Sequence, residues 1–183
     1  NLFDEAHKAY GSVDIAVYSV GVHAANTIAE LSANDIRPTL EVSFIGALLF
    51  FKHAARTMED GGSVITMSSL TARLPGPGYA VYSGARAGID YAIKVAAVEF
   101  AEQKIRFNSI AAGLIHTDMT DELFGMDPVI AGFIDATPAG RMGTLEDMTE
   151  AALFLADNRK SGYINGQVLD LAGGQQMGQL PRS

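Results

Sequence analysis

Apolar residues are distributed along the chain in two alternating patterns. Short runs rich in β-branched residues end at Gly or Ser, whereas longer Ala-rich runs repeat their apolar positions with helical spacing. The short runs predict β-strands over 14–20, 63–68, 106–111 and 167–171. The longer runs predict helices over 2–10, 35–58, 81–102 and 145–156.

Boundary residues support these elements. Ser32 and Asp35 stand three residues apart, as in a capping box, at the start of the second helix. The Gly-Gly pair at 61–62 ends that helix. The Pro- and Gly-rich segment 70–78 predicts a loop, and 117–143 predicts irregular structure with short helical pieces.

The alternation of strands and helices predicts an α/β fold with one parallel sheet, because each crossover helix returns the chain to the same end of the sheet. The segment 14–20 is apolar over most of its length, which favours a strand covered on both faces. Ligands of such sheets bind beyond the carboxyl ends of the strands. Gly21, Ser69 and Gly113 fall at that edge.

Length and charge narrow the class of protein. The 183 residues are 48% hydrophobic and include 19 glycines, so we expect one globular domain over 1–183 with a polar tail over 175–183. The net charge of −8 argues against nucleic acid or an anionic membrane as a partner. The longest apolar run, 44–51, is too short to span a bilayer. Because we find no signal peptide, we expect a cytoplasmic protein.

The number and spacing of cysteines and histidines argue against a metal site. The chain has no cysteine, so disulfides and thiolate metal sites are excluded. Its four histidines are dispersed, with no His-x-x-x-His spacing. We therefore predict no metal site.

Candidate chemistry lies around Ser69, Tyr82 and Arg86. Ser69 ends the second strand, Tyr82 opens the next helix, and Arg86 lies one turn further along the same helix face. A phenol with an ordinary pKa of about 10 is a poor acid at neutral pH, but a fixed cation beside it stabilises the phenolate. A serine hydroxyl could then bind a carbonyl or alcohol oxygen while the phenol moves the proton. These groups suffice for the proton half of a carbonyl–alcohol interconversion, in which a nicotinamide would supply the hydride.

Two interpretations of the Tyr82 and Arg86 pair follow from the residues alone. A tyrosine four residues before a cation also arises by chance, as a helix-start tyrosine that packs on an arginine stem. The catalytic interpretation is favoured by context, since a strand-end serine and a Pro- and Gly-rich loop precede the pair.

Five segments in chain order resemble the motifs of the short-chain dehydrogenase/reductase (SDR) family. They are the strand-end serine motif at 67–69, the Tyr-x-x-x-Lys box at 82–86, the Arg-Val-Asn…Pro-Gly…Thr segment at 106–117, the Gly-Arg-x-Gly-x-Pro-Glu-Asp turn at 140–147, and the C-terminal strand at 163–169 with the glycines at 173–174. The set is specific for the family and not for a substrate. The resemblance implies a Rossmann-like, doubly wound parallel sheet that lacks its first βαβ part.

The resemblance also implies roles for individual residues. Tyr82 would be the general acid/base, and Ser69 would orient the substrate oxygen. Arg86 stands where the family has the lysine that holds the nicotinamide ribose, and Ser43 where it has the asparagine that holds a relay water. The implied contacts to NAD or NADP are Ser19, Gly21, Tyr82, Arg86, Gly113, Ile115 and Thr117. The expected substrate contacts are Leu70, Leu74, Tyr79, Leu114, Leu123 and Phe124.

The implied activity is an NAD(P)-dependent interconversion of a secondary alcohol and a ketone. The two long helices over 35–58 and 81–102 resemble those that pair between subunits in the family, so we expect a homodimer or homotetramer. The departures from the family concern the proton relay. The guanidinium of Arg86 is not deprotonated in proteins, and Ser43 has a shorter polar group than asparagine. A catalytically impaired homologue that acts as an oligomeric or binding subunit is therefore the alternative.

The glycine-rich turn that grips the dinucleotide in the family has no counterpart in this sequence. We interpret the chain as the C-terminal two-thirds or so of such a domain. The Gly-Gly pair at 61–62 cannot substitute for the turn, because it precedes a strand and does not open a helix. In the family the missing first strand pairs with the strand at 14–20, which would otherwise be an exposed edge.

We expect the 183-residue chain alone to bind a dinucleotide weakly or not at all, because backbone donors at a helix start supply most of the hold on a pyrophosphate. Titration calorimetry with NADH and with NADPH measures this affinity. A dissociation constant in the micromolar range for either nucleotide would contradict the expectation.

Overall fold

The computed structural model describes residues 2–23 and 26–175, so the predicted polar tail lies outside it apart from residue 175. Four parallel strands form one sheet in the order β1-β2-β3-β4. They are β1 (Ile15–Tyr18), β2 (Gly62–Ser69), β3 (Ile105–Ala112) and β4 (Val168–Leu171). The predicted α/β class with a parallel sheet is confirmed.

Helices connect and cover these strands. They are α1 (Leu2–Tyr10), α2 (Ala33–Leu40), α3 (Gly46–Thr57), α4 (Ala80–Glu99), α5 (Asp121–Phe124), α6 (Asp127–Asp135), α7 (Leu145–Ala156) and α8 (Asn158–Ser161). A π-helical segment, Glu41–Ile45, joins α2 to α3, and a 3₁₀ turn, Leu70–Ala72, follows β2. Within the described residues no helix has both the length and the apolar character needed to cross a membrane.

The helix predicted over 35–58 is present but is not uniform. Its start is capped as predicted, since the backbone N–H of Ser32 donates to the Asp35 carboxylate at 2.9 Å. The helix then continues through α2, the π-helical segment and α3 without a break. The wider π turn surrounds Ser43, and apolar periodicity does not reveal such a local change of pitch.

Two predictions about the elements are wrong in detail. The helix predicted over 81–102 ends at Glu99, because residues 100–104 turn towards β3. The strand predicted over 14–20 ends at Tyr18 and is not covered on both faces. Its residues Ile15 and Val17 are 52% and 45% exposed, because no described residues cover that side of the strand. Within the described residues β2 is the only strand that pairs with β1, which makes β1 the edge expected from the sequence.

The core has one half on each face of the sheet. On one face α1, α3 and α4 pack against the strands, with Phe51 and Ile93 fully or almost fully buried there. On the other face α7 places Leu155 against Ile65 of β2 and Ile110 of β3. The central strands are therefore buried on both sides, as expected for a doubly wound sheet.

The carboxyl ends of the strands meet at one edge of the sheet. The register pairs Ser69 with Ala112, so Gly113 follows directly beside the end of β2. Gly21 lies three residues beyond the end of β1 at the same edge. The three positions singled out from the sequence therefore share the edge where ligands of such sheets bind.

Candidate active site

Ser69 is the last residue of β2 and caps the 3₁₀ turn that follows. Its Oγ accepts hydrogen bonds from the backbone N–H of Thr71 at 3.2 Å and from the Thr71 hydroxyl at 3.0 Å. In both bonds Ser69 is the acceptor, so its own proton stays available for a ligand oxygen. The turn thereby holds a hydroxyl donor at the carboxyl edge.

Tyr82 and Arg86 lie one turn apart near the start of α4. The Cζ atom of Arg86 is 5.0 Å from the centroid of the Tyr82 ring, a cation–π contact. Arg86 is only 4% exposed. Its Nη1 donates to the carbonyl oxygen of Met67 at 2.8 Å and to that of Val20 at 3.5 Å. The guanidinium therefore joins the helix of Tyr82 to the ends of β1 and β2, and so to the strand that carries Ser69.

Gly21 is required by this guanidinium. A Cβ atom at position 21 would collide with Nη2 of Arg86, so no other residue fits there without moving the arginine. The loop after β1 thus passes directly against the cation, in agreement with the placement of Gly21 at the predicted site.

Ser43 is fully buried in the π-helical segment. Its Oγ accepts a hydrogen bond from the backbone N–H of Val22 at 3.2 Å and donates to the Val22 carbonyl at 3.3 Å. The Tyr18 hydroxyl donates to the carbonyl of Val42 at 2.6 Å and holds the same segment from β1. Burial raises the pKa of the Tyr18 phenol, and the charge of Arg86 offsets part of that rise. The hydroxyl of Ser43 is therefore engaged by the backbone after β1.

His23 lies in the same group, two residues beyond Gly21. Its ring stacks on Tyr79, with centroids 4.8 Å apart, and meets Tyr82 edge-on at 5.3 Å. Burial lowers the pKa of the His23 imidazole. In the sequence only one signal indicates His23, its position just past a strand end at the carboxyl edge. Side-chain contacts between separate loops cannot be read from spacing.

The expected substrate side chains occupy different environments. Leu70 is buried and does not face an open cleft, whereas Leu74 is 37% exposed on the following loop. Tyr79 belongs to the aromatic group just described. Leu123 and Phe124 are half-buried in α5. Of this set, only Tyr79 is linked to Tyr82 by a described ring contact, through the ring of His23.

The remaining expected contacts are also dispersed. Gly113, an expected cofactor contact, and Leu114, an expected substrate contact, line a cavity of about 200 Å³ against the turn before α7. Ile115 is buried and pairs with that same turn, so its side chain packs inside the protein. Thr117 and Ser19 are exposed, where a ligand can reach them.

A second arginine ties the loop after β2 to the sheet. Nη1 of Arg73 is 3.0 Å from Oδ2 of Asp90 in α4, and Nη2 pairs with Asp170 of β4. Asp90, two turns beyond Tyr82, also accepts a hydrogen bond from the Ser109 hydroxyl at 3.2 Å. Burial raises the pKa of the Asp90 carboxyl, and Arg73 and neighbouring hydroxyls oppose this rise. We call Arg73, Asp90 and Asp170 the Arg73 clamp.

A doubly wound sheet that ends in a phenol, a fixed cation and a hydroxyl donor has what proton transfer to an oxygen requires, at the edge where nucleotides bind. The fold places the protein in the doubly wound, Rossmann-like α/β class.

Comparison with known proteins identifies the family. A family model described as enoyl-(acyl carrier protein) reductase matches residues 1–176. The chain is 32% identical over 179 residues to 3-oxoacyl-[acyl-carrier-protein] reductase of Bos taurus, an alignment that covers 97% of this chain and 72% of the relative. It is 32% identical over 176 residues to carbonyl reductase family member 4 of Danio rerio, covering 96% and 71%.

A solved structure agrees. The gluconate 5-dehydrogenase from Burkholderia cenocepacia J2315, in complex with NADP and tartrate, superimposes with a TM-score of 0.90 at 26% identity, over 94% of this chain and 68% of that one. The chain belongs to the short-chain dehydrogenase/reductase family, so the resemblance seen in its motifs is confirmed. Its relatives are named as reductases and its structural neighbour as a dehydrogenase solved with NADP, and the chain is an oxidoreductase of this family.

The surroundings of Arg86 fit the ribose of a nicotinamide nucleotide. Nε of Arg86 is buried and has no hydrogen-bond partner within the described residues. Gly21 has no side chain, so the guanidinium lies directly against the backbone of the loop after β1. Guanidinium and phenol donors suit a ligand that presents several hydroxyl oxygens, as a ribose does. The same contacts serve NAD and NADP.

Replacing Arg73 with Leu is expected to destabilise the fold by about 2 kcal/mol at pH 7, because it leaves two carboxylates of the Arg73 clamp without their cation. Urea unfolding measures the loss. The difference in unfolding free energy between Arg73→Leu and wild type should become smaller as the pH falls towards 4, because protonation removes the unpaired negative charges. The raised pKa of Asp90 means that its carboxylate is protonated at a higher pH than an ordinary aspartate.

The matched control is Arg141→Leu, which breaks the exposed pair between Arg141 and Asp147. Exposed pairs contribute little, so this variant should lose clearly less stability than Arg73→Leu. Equal losses of unfolding free energy in the two variants would contradict the expectation that the Arg73 clamp contributes more to stability than an exposed ion pair.

Proposed function

We propose that this protein interconverts a secondary alcohol and a ketone with NAD or NADP, and that Tyr82 is its general acid/base. The observation that carries the proposal is the contact of Arg86 with Tyr82, made while Arg86 is bound to the carbonyl of Met67, two residues before Ser69. It brings a phenol, a permanent positive charge and a serine hydroxyl to one edge of the sheet. No other phenol of the described residues forms such a contact with a guanidinium.

Each residue has a distinct part in this reaction. Ser69 donates a hydrogen bond to the substrate oxygen, which polarises a carbonyl and aligns it with the phenol. Tyr82 donates its proton to that oxygen during reduction and accepts one during oxidation. Arg86 stabilises the negative charge that develops on the phenol oxygen.

The nicotinamide would supply or accept the hydride at the reacting carbon. The residues that would hold its ribose and carboxamide side are Arg86, Tyr82, Gly21 and Thr117. Ser19 is exposed in the loop after β1 that also contains Gly21. Support for the choice of substrate class comes from relatives named as reductases of 3-oxoacyl groups and of carbonyls, and from a structural neighbour named as a gluconate dehydrogenase. Leu74, Leu114, Leu123 and Phe124 favour a partly apolar substrate.

A second candidate function rests on the hydrogen bonds of Arg86 and Ser43. Arg86 donates to two backbone carbonyls and Ser43 bonds to the backbone of Val22, so both positions serve structure here. A chain with an impaired proton relay could act as a binding or oligomeric subunit. Turnover, measured as below, separates the two.

In the protein at its native length, Tyr82→Phe should lower kcat by at least about 100-fold, because the variant keeps the ring and loses the proton that the reaction moves. The measurement is NAD(P)H oxidation or formation over a panel of ketones and secondary alcohols. Tyr163→Phe removes a hydroxyl from a fully exposed tyrosine and should leave turnover unchanged.

Undiminished turnover in Tyr82→Phe would refute the proposed mechanism. Arg86→Lys, which restores the residue typical of the family, tests the alternative. If neither wild type nor Arg86→Lys converts any substrate of the panel, the protein is a non-catalytic member of the family.

We also propose that the protein forms a homo-oligomer through the outer face of α3 and α4. A cavity of about 410 Å³ lies between these helices, and apolar side chains stand exposed around it. They are Leu48, Leu49, Tyr91, Val95 and Val98, which are 40–78% exposed. Exposed apolar area of this extent is typical of an interface.

Tyr91→Glu should shift the protein towards the monomer, because it places a charge in that apolar face. Size-exclusion chromatography with light scattering measures the mass. Tyr163→Glu introduces the same change at an exposed tyrosine outside α3 and α4 and should leave the mass unchanged. A Tyr91→Glu variant with the wild-type mass would exclude this face.

A further inference from the structure

His23 is the side chain at the site whose position no part of the proposed mechanism explains. Its ring is held between Tyr79 of the loop after β2 and Tyr82 of α4. The ring as a whole is half-buried, but its Nε2 atom is fully buried and has no hydrogen-bond partner within the described residues. A buried polar atom without a partner is unfavourable for folding, so such an atom calls for a functional explanation.

The proton lost by Tyr82 in each reduction must be replaced. Arg86 cannot supply it, since a guanidinium does not give up its proton in proteins. Ser43 is also unavailable, because its hydroxyl donates to the Val22 carbonyl and accepts from the Val22 N–H. Of the side chains in direct contact with the Tyr82 ring, His23 is the one that both binds and releases a proton near neutral pH.

We propose that His23 is the positioning residue of Tyr82 and returns its proton, which rests on the proposed role of Tyr82 as the acid/base. In reduction the phenol O–H bond breaks as its proton moves to the substrate oxygen. The Nε2–H of neutral His23 then gives its proton to the phenolate, while Nδ1 takes one from a water molecule, which leaves hydroxide in the solvent. The imidazole is neutral before and after but has changed its tautomer, and proton exchange with solvent restores the Nε2–H before the next reduction. Oxidation runs the same steps in reverse.

The contacts of His23 suit this transfer. The stack on Tyr79 fixes the plane of the imidazole, and the edge contact keeps it against the phenol. No hydrogen bond joins His23 to Tyr82 among the described residues, and catalytic hydrogen bonds often close only when the substrate is bound. His23 as a whole is only half-buried, and the transfer requires its second nitrogen to reach water.

Burial of His23 favours its neutral form before transfer. The titratable groups in its surroundings are the phenols of Tyr79 and Tyr82 and the guanidinium of Arg86, which lies on the Tyr82 ring. No carboxylate of the described residues contributes to the shift of its pKa, and burial alone lowers that pKa. A neutral imidazole has one N–H donor and one free acceptor, as the transfer requires.

The first experiment needs no catalysis. Imidazole resonances are followed by ¹⁵N-edited NMR between pH 4 and 9, and the His23 signals are assigned by their loss in His23→Phe. We expect Tyr82→Phe to shift the Nε2 resonance and the titration midpoint of His23. His116, which stacks on Phe124 at 4.1 Å and lies outside this group, is the internal control and should not change. Unchanged His23 signals in Tyr82→Phe would overturn the proposal.

The second experiment measures turnover of the native-length enzyme. His23→Phe keeps the stacking ring and removes both nitrogens, so kcat should fall at least about tenfold while KM stays nearly constant. The solvent deuterium isotope effect on kcat should rise, because return of the proton becomes slow. A purely structural role would leave both unchanged.

Imidazole rescue makes the test specific. His23→Ala opens a space beside Tyr82, and added imidazole should restore kcat in proportion to its concentration. It should not restore Tyr82→Phe, which lacks the phenol. Failure of rescue together with normal turnover of His23→Phe would refute the role of His23 alone, whereas normal turnover of Tyr82→Phe would refute the proposed function itself.

Discussion

The buried guanidinium of Arg86 is the constraint on which the site depends. A cation that is 4% exposed is tolerated only where hydrogen-bond acceptors surround it, and no carboxylate among the described residues is paired with it. The carbonyls of Met67 and Val20 and the face of Tyr82 supply this environment. The ends of β1 and β2 and the first turns of α4 are therefore held together by one charge, and Gly21 has no room for a side chain because of it.

The Arg73 clamp holds the same helix one turn further along, at Asp90. Arg86 bonds to neutral carbonyls, whereas Arg73 neutralises two carboxylates, Asp90 in α4 and Asp170 in β4. The loop that follows Ser69 is thus fixed to both α4 and β4. Together the two arginines hold the first half of α4 and the loop after Ser69 against the sheet.

The departures from the family have a structural explanation. Arg86 is longer than lysine and has more donors, which lets it bind two strand ends at once. The hydroxyl of Ser43 forms two hydrogen bonds with the backbone of Val22, and these bonds hold the loop after β1 against the π-helical segment. Both residues support the architecture of the site. The proposed proton transfer is therefore assigned to groups that make no such bonds, and the aromatic group around His23 is the nearest of these.

The α/β class, the parallel sheet, the four strands, the longer helices and the spacing of Tyr82 and Arg86 could be read from the sequence, because apolar periodicity and helical spacing are local properties. The helices at 2–10 and 145–156 match their predicted bounds, whereas the short helices α5, α6 and α8 were not placed individually. The open side of β1, the burial of Leu70 and Ile115 and the π turn at Ser43 became visible only in the folded structure. The same holds for the Arg73 clamp and for the stack of Tyr79 on His23. Each joins residues of different elements, and the packing that brings such residues together leaves no periodic trace along the chain.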